Sequence, residues 1–225
     1  MPVIFSLGDG AVTIDLGNQL SEALNGKVLA MNQWLRQHPF TGQKDIITAY
    51  SSLTLVFDPT LIKAHYRPAH TIFEWVRDQL LDAYHQSGAT VSQAPVRHQI
   101  PVFYGGNDGP DLAALAAAKG MRAEELIHIH TATVYRVYMI GFLPGFAYLG
   151  EVDPLIAQPR KEKPVPVAAG SIGIAGSQTG IYPLPSPGGW NIIGRTPLQM
   201  FNPQSQFPVL LKAGDEVVFY PTQGL

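Results

Sequence analysis

Ser171-Ile172-Gly173-Ile174-Ala175-Gly176 alternates isoleucine with small residues, the period-2 pattern of a strand whose glycines admit either a neighbouring backbone or a ligand. It lies within a longer block, opening as Gly141-Phe142-Leu143-Pro144-Gly145-Phe146 and closing as Gly194-Arg195-Thr196-Pro197, that is dense in glycine, proline and aromatics. Glycine permits conformations that a Cβ forbids and proline fixes φ, so the block specifies shaped loops around a site. Further short strands are predicted over residues 134–140, 191–193, 198–201 and 216–220, separated by Gly and Pro turns. Such spacing argues for a barrel or sandwich.

Upstream the pattern changes. Residues 10–16 alternate Val12, Ile14 and Leu16 with Ala11, Thr13 and Asp15, which predicts a half-buried strand. Residues 21–36 place Leu24, Val28, Met31, Trp34 and Leu35 at helical spacing, and Pro39 ends the run. Two strands over 46–50 and 52–57 stop at Asp58-Pro59, and a second helix runs from about Thr71 to Gly88 with Ile72, Trp75, Val76, Leu80 and Tyr84 near one face. This order predicts a small α+β domain over 1–90, a joint over 87–95, and a mainly-β domain over 91–225. The second domain starts with a strand over 96–103 and two short helices, 112–118 behind an Asp111 cap and 123–127. That helix pair superficially resembles a helix-turn-helix, but only Lys119 and Arg122 are basic there.

Of 225 residues 46% are hydrophobic and 14% charged, which places the chain among soluble globular proteins. A formal net charge of -2 removes the broad attraction that nucleic acid or an anionic membrane requires. Cysteine is absent, so disulfides and thiolate nucleophiles are excluded. No apolar run reaches the ~18 residues of a membrane span and the N-terminus has no leader pattern, so a cytoplasmic protein is expected.

The block contains no P-loop, no G-x-G-x-x-G and no G-x-S-x-G. Between Pro154 and Gly214 its one carboxylate is Glu162, too few for paired-carboxylate hydrolysis. Asp153-Pro154 reads as a turn and Asp215-Glu216 as a surface hairpin turn. His128 and His130 would share one face of a strand, but no histidine follows them and no metal site is predicted. His130 is a candidate proton carrier or hydrogen-bond donor, with structural capping as the alternative. Arg195 offers a bidentate grip on a carboxylate, or else a structural salt bridge. Gln178, Thr179, Tyr182, Ser186 and Trp190 supply neutral polar groups and an aromatic wall suited to a small amide-like ligand or a protein interface.

The runs at 138–149 (YMIGFLPGFAYL), 170–183 (GSIGIAGSQTGIYP) and 186–197 (SPGGWNIIGRTP), followed by Gly214-Asp215, resemble the family of B subunits of bacterial ATP-dependent 5-oxoprolinases. The family is also known as the allophanate hydrolase subunit 1 or sporulation kinase inhibitor type. This chain departs from the family pattern at 163–170, where a Pro-Arg pair is expected, and at Ser177, where glycine is common. The resemblance implies a ferredoxin-like α+β domain followed by a cyclophilin-like β-barrel. It also implies a C-subunit homologue as direct partner, an A-subunit homologue as third component, and opening of 5-oxo-L-proline to L-glutamate. ATP would be used by the assembled complex, with none bound by this chain alone. In that scheme His130 and Arg195 are the candidate catalytic residues, and Phe142, Pro144, Gly145, Gln178, Thr179, Tyr182, Ser186 and Trp190 contact substrate or partner. The alternatives are an inhibitor of histidine kinase autophosphorylation and a component of a urea- or allophanate-processing hydrolase.

Overall fold

The alternation of Val12 and Ile14 with polar neighbours produces β2 (Ala11–Asp15), which sits between β1 (Val3–Ser6) and β4 (Ser52–Phe57), with β3 (Gln43–Thr48) at the far edge. All neighbours in this four-stranded sheet are antiparallel. The Ser21 hydroxyl accepts the Leu24 N–H and starts α1 (Glu22–Gln37), while Thr71 and Glu74 form a reciprocal capping box at the head of α3 (Ile72–Gln86). Val28, Met31, Leu35, Val76 and Leu80 from these helices meet Val12, Ile14, Leu53 and Leu55 of the sheet in one core. Sequence patterning missed β1 and α2 (Pro59–Tyr66). Asp58-Pro59, expected as a strand stop, is also the head of α2: Asp58 accepts the Thr60 and Leu61 N–H groups and Pro59 fills the first turn.

The computed structural model describes residues 2–89 and 94–222, and the chain divides into two units, 1–94 and 95–225. Residues 90–93 of the joint expected at 87–95 lie outside the described residues.

The second unit contains β5 (Arg97–Tyr104), α4 (Leu112–Ala118), α5 (Ala123–Ala132), β6 (Val134–Ile140), β7 (Ala147–Gly150) and β8 (Val165–Val167). These are followed by β9 (Ser171–Ala175), β10 (Gln178–Ile181), β11 (Ser186–Gly188), β12 (Asn191–Arg195) and β13 (Glu216–Pro221). Seven strands close a barrel in the order β10-β7-β6-β13-β5-β12-β9, and β11 pairs with β8 as a separate ribbon. β13 runs parallel to β5, from Glu216 opposite Arg97, and antiparallel to β6. Ile100, Val102, Leu126, Val137, Leu149, Ile172, Ile174, Ile181, Ile193 and Phe219 fill the barrel. The expected α+β unit followed by a mainly-β barrel unit is therefore present.

Several local expectations are corrected. Residues 198–201 form no strand, only a single bridge between Phe201 and Val209 in a segment bounded by Pro197 and Pro208. The helix expected over 123–127 continues to Ala132, so His128 and His130 point about 200° apart around a helix axis instead of sharing a strand face. Asp111 makes no side-chain cap; its carboxylate accepts the Ile192 N–H at 2.6 Å and pairs with Lys161 Nζ at 2.6 Å. Asp215 is buried, not on a surface turn, where it accepts the Lys212 N–H and meets His98 Nε2, each at 3.0 Å.

Candidate functional site

Strand alternation puts Ala147 and Leu149 inside the barrel and Phe146 and Tyr148 on its outer wall. On that wall Phe146 meets Tyr182 edge-on at 5.0 Å, Trp190 at 5.5 Å and Tyr148 at 4.7 Å. Val167, Ala175 and Ile192 complete this second, smaller core, to which the β8–β11 ribbon contributes Val167. The glycines of β9 and β10 make the wall possible: a Cβ at Gly173 would stand 2.9 Å from Trp190 Cβ, and one at Gly180 would stand 2.9 Å from the Ala147 carbonyl and the Trp190 ring. Their spacing serves close packing. Gly188 does the same for the ribbon, where a Cβ would lie 2.5 Å from the Tyr182 hydroxyl.

The loop after β6 feeds this wall. Leu143 N–H donates to the Gly141 carbonyl at 2.8 Å and Phe146 N–H to that of Leu143 at 3.0 Å, a tight reversal that needs left-handed backbone at Gly145 (φ 83°). Phe142 is also left-handed (φ 67°), a rare conformation for an aromatic residue, and remains 63% exposed. Pro144 is exposed beside it. Burial raises the hydroxyl pKa of both Tyr148 and Tyr182, against which the nearby Arg160 charge acts. Ser186 Oγ is buried without a hydrogen-bond partner.

His130 and Thr179 lie together elsewhere, inside the barrel. Thr179 Oγ1 donates to the Gly173 carbonyl at 3.0 Å, so it accepts from His130 Nε2 at 3.1 Å; Nδ1 is then the acceptor for the Tyr104 hydroxyl at 2.7 Å. The ring stacks on Phe219 at 4.7 Å, and Tyr135 donates to the His130 carbonyl. Full burial drives this imidazole down to about 3, so it is neutral at physiological pH. Every polar atom of the relay is satisfied.

Arg195 ends β12 on the outside of the barrel, and its Nη2 pairs with Asp108 Oδ1 at 2.7 Å. It borders a cleft of about 430 Å³ with Phe103, Gly170, Leu184 and Thr196. The two candidate catalytic residues are thus on opposite sides of the barrel wall, while Gln178, Tyr182 and Trp190 belong to β10 and the segments flanking β11. Sequence reasoning missed Phe146 and Tyr148, whose alternation is readable in Phe146-Ala147-Tyr148-Leu149, and Arg160, which no motif distinguishes. Among the described residues no three His, Asp or Glu side chains are grouped to hold a metal ion, and no helix is long and apolar enough to cross a membrane.

The family described as carboxyltransferase domain, subdomain C and D, matches residues 2–211. The chain is 42% identical over 222 residues to the 5-oxoprolinase B subunit of Bacillus subtilis (strain 168), covering 96% of this chain and 91% of that one. The crystal structure of TTHA0988 matches 96% of this chain at 35% identity with a TM-score of 0.81; this chain spans 40% of that longer one. The K. lactis urea amidolyase matches 98% of this chain with a TM-score of 0.77 at 15% identity, a likeness of fold, over 15% of its own length.

Proposed function

We infer, because this chain belongs to the carboxyltransferase domain family, subdomain C and D, and within it to the 5-oxoprolinase B subunits, that it is a non-autonomous subunit of an ATP-dependent 5-oxoprolinase. The complex opens the lactam of 5-oxo-L-proline to L-glutamate, with homologues of the A and C subunits as partners. The observation that carries this reading is the 42% identity to a known B subunit, which extends over nearly the whole of both chains.

A lactam resists water because its amide is resonance-stabilised. Phosphoryl transfer from ATP to the lactam oxygen, with release of ADP, makes the ring carbon electrophilic; one water adds and the C–N bond opens to leave an acyl phosphate, which a second water hydrolyses to L-glutamate and phosphate. The absence of a P-loop and the single carboxylate between Pro154 and Gly214 support a chain that forms part of a shared site. Its contribution is the outer aromatic cluster: buried Phe146, Tyr182 and Trp190 form a rigid backing, the half-buried Tyr148 packed on it is the ring that reaches the surface, and Gln178 and Ser186 stand at its margin. Phe142, Pro144 and Gly145 form the loop that meets the partner protein. His130 acts through Thr179 as a positioning residue, tying α5 to β10 and β9 behind the wall.

Mixing this chain with its A and C homologues, and omitting each in turn, tests the assignment. ATP-dependent glutamate formation is expected only from the full set. Undiminished glutamate formation without this chain overturns the assignment.

A further inference from the structure

The sheet of the first unit has two free edges, β1 and β3, and the chain guards them unequally. β3 carries Lys44 and Asp45, its register shifts between Gln43 and Asp45, and the Asp45 carboxylate takes the Ile46 N–H at 2.8 Å. Charges and irregularities of this kind stop a further strand from joining. β1, Val3-Ile4-Phe5-Ser6, has no charge, no proline and an unbroken register against β2. We propose that β1 is a dimerisation edge, pairing antiparallel with β1 of a second copy of this chain about a two-fold axis at Phe5.

Backbone geometry selects that axis. Antiparallel strands bond through alternate residue pairs, and the Leu7 N–H donates to the Ala11 carbonyl at 2.8 Å, so Phe5 and Val3 also bond inward, opposite Thr13 and Asp15. Ile4 and Ser6 therefore turn their N–H and C=O groups outward along the free edge. With Phe5 on the axis, Ile4 of each copy faces Ser6 of the other, and every one of those outward groups finds a partner. An axis at Ile4 would instead set Ser6 against Pro2, which has no N–H to offer the Ser6 carbonyl.

The side chains make the same choice. Ile4 packs on the helix-covered core, so Val3 and Phe5 alternate onto the opposite face, and Leu7 follows them; the three are 63%, 41% and 54% exposed. This apolar row is self-complementary about Phe5. The axis sets Phe5 against Phe5 in a non-hydrogen-bonded pair, where side chains approach most closely, and Val3 against Leu7 on either side. On the helix side Ile4 meets the small Ser6, beside a hollow of about 460 Å³ that Val12, Phe57 and Phe73 also line. A strand that fits this edge must be extended, uncharged and apolar on both faces, and β1 is itself such a segment. The occupant is therefore a second copy, through an isologous interface that makes one continuous sheet of the two.

Light scattering on the full chain at micromolar concentration should give twice the mass of one chain. Phe5→Lys sets like charges together on the axis and removes no buried side chain, so it should weaken dimerisation at least about tenfold while the far-UV spectrum stays unchanged. The chain has no cysteine, so Phe5→Cys supplies its one thiol. On air oxidation that variant should cross-link to a covalent dimer, because opposed Cα atoms about 4.5 Å apart lie within the span of a disulfide. Ile47→Cys is the control: Ile47 is 53% exposed in the same cross-strand row, but on the guarded edge, and this variant should remain uncross-linked. A dimer undiminished in Phe5→Lys, or equal cross-linking of the two thiol variants, overturns the proposal. So does a wild-type monomer, and one whose Phe5→Lys variant no longer binds a C-subunit homologue would assign the edge to that partner.

Discussion

His130 and Arg195 illustrate what a residue type promises and what its surroundings permit. Imidazole and guanidinium are both capable of the chemistry expected of them, yet each is already engaged, by Tyr104 and Thr179 in one case and by Asp108 in the other. Those partners are far away in the chain and belong to other elements, so no local pattern announces them. The buried imidazole has a measurable signature. Its folded pKa is about 3, below the ordinary value of 6.5, so the unfolded chain takes up a proton that the folded chain refuses. Its stabilising contribution is complete above about pH 6.5 and declines as pH falls toward 3, on the order of 1 kcal/mol per pH unit. His130→Gln should destabilise the protein at pH 7, and its stability gap to wild type should narrow by roughly 2 kcal/mol at pH 5. Urea unfolding at both pH values measures this; a gap independent of pH contradicts a neutral buried ring.

The elements that sequence periodicity captures are those long enough to show a period, notably α1, α3, β4 and β5. The β8–β11 ribbon escapes it because each strand has only three residues and Pro166 lies directly opposite Pro187, in a register where neither N–H is needed for pairing. Its seat is decided by Tyr182, which is 1% exposed and has no room to swing away. Gly188→Ala should therefore lift the ribbon or displace the tyrosine, at about 1–3 kcal/mol of stability, as overpacking does elsewhere. Thermal melting together with the near-UV signal of the aromatic cluster reports the change. A Gly188→Ala protein matching wild type in both would mean that the ribbon is not seated as described.

The two units each possess a core of their own, and helical and strand periods make the first legible apart from β1 and α2. Residues 1–94 expressed alone should fold, with a near-UV signal from Trp34 and Trp75 and a cooperative melt. A featureless near-UV spectrum would show that this core is insufficient. The barrel's strand order is not readable in the sequence, because alternation identifies a strand without saying which strand it joins. β5 pairs with β12 on one side and β13 on the other, and the Arg97–Glu216 ion pair spans 119 residues. At ribosomal speeds of about 5–20 residues per second, β5 emerges roughly 6–24 s before β13 exists to join it. Throughout that interval the nascent chain carries an unpaired strand edge, the kind of surface on which chains pair wrongly with one another.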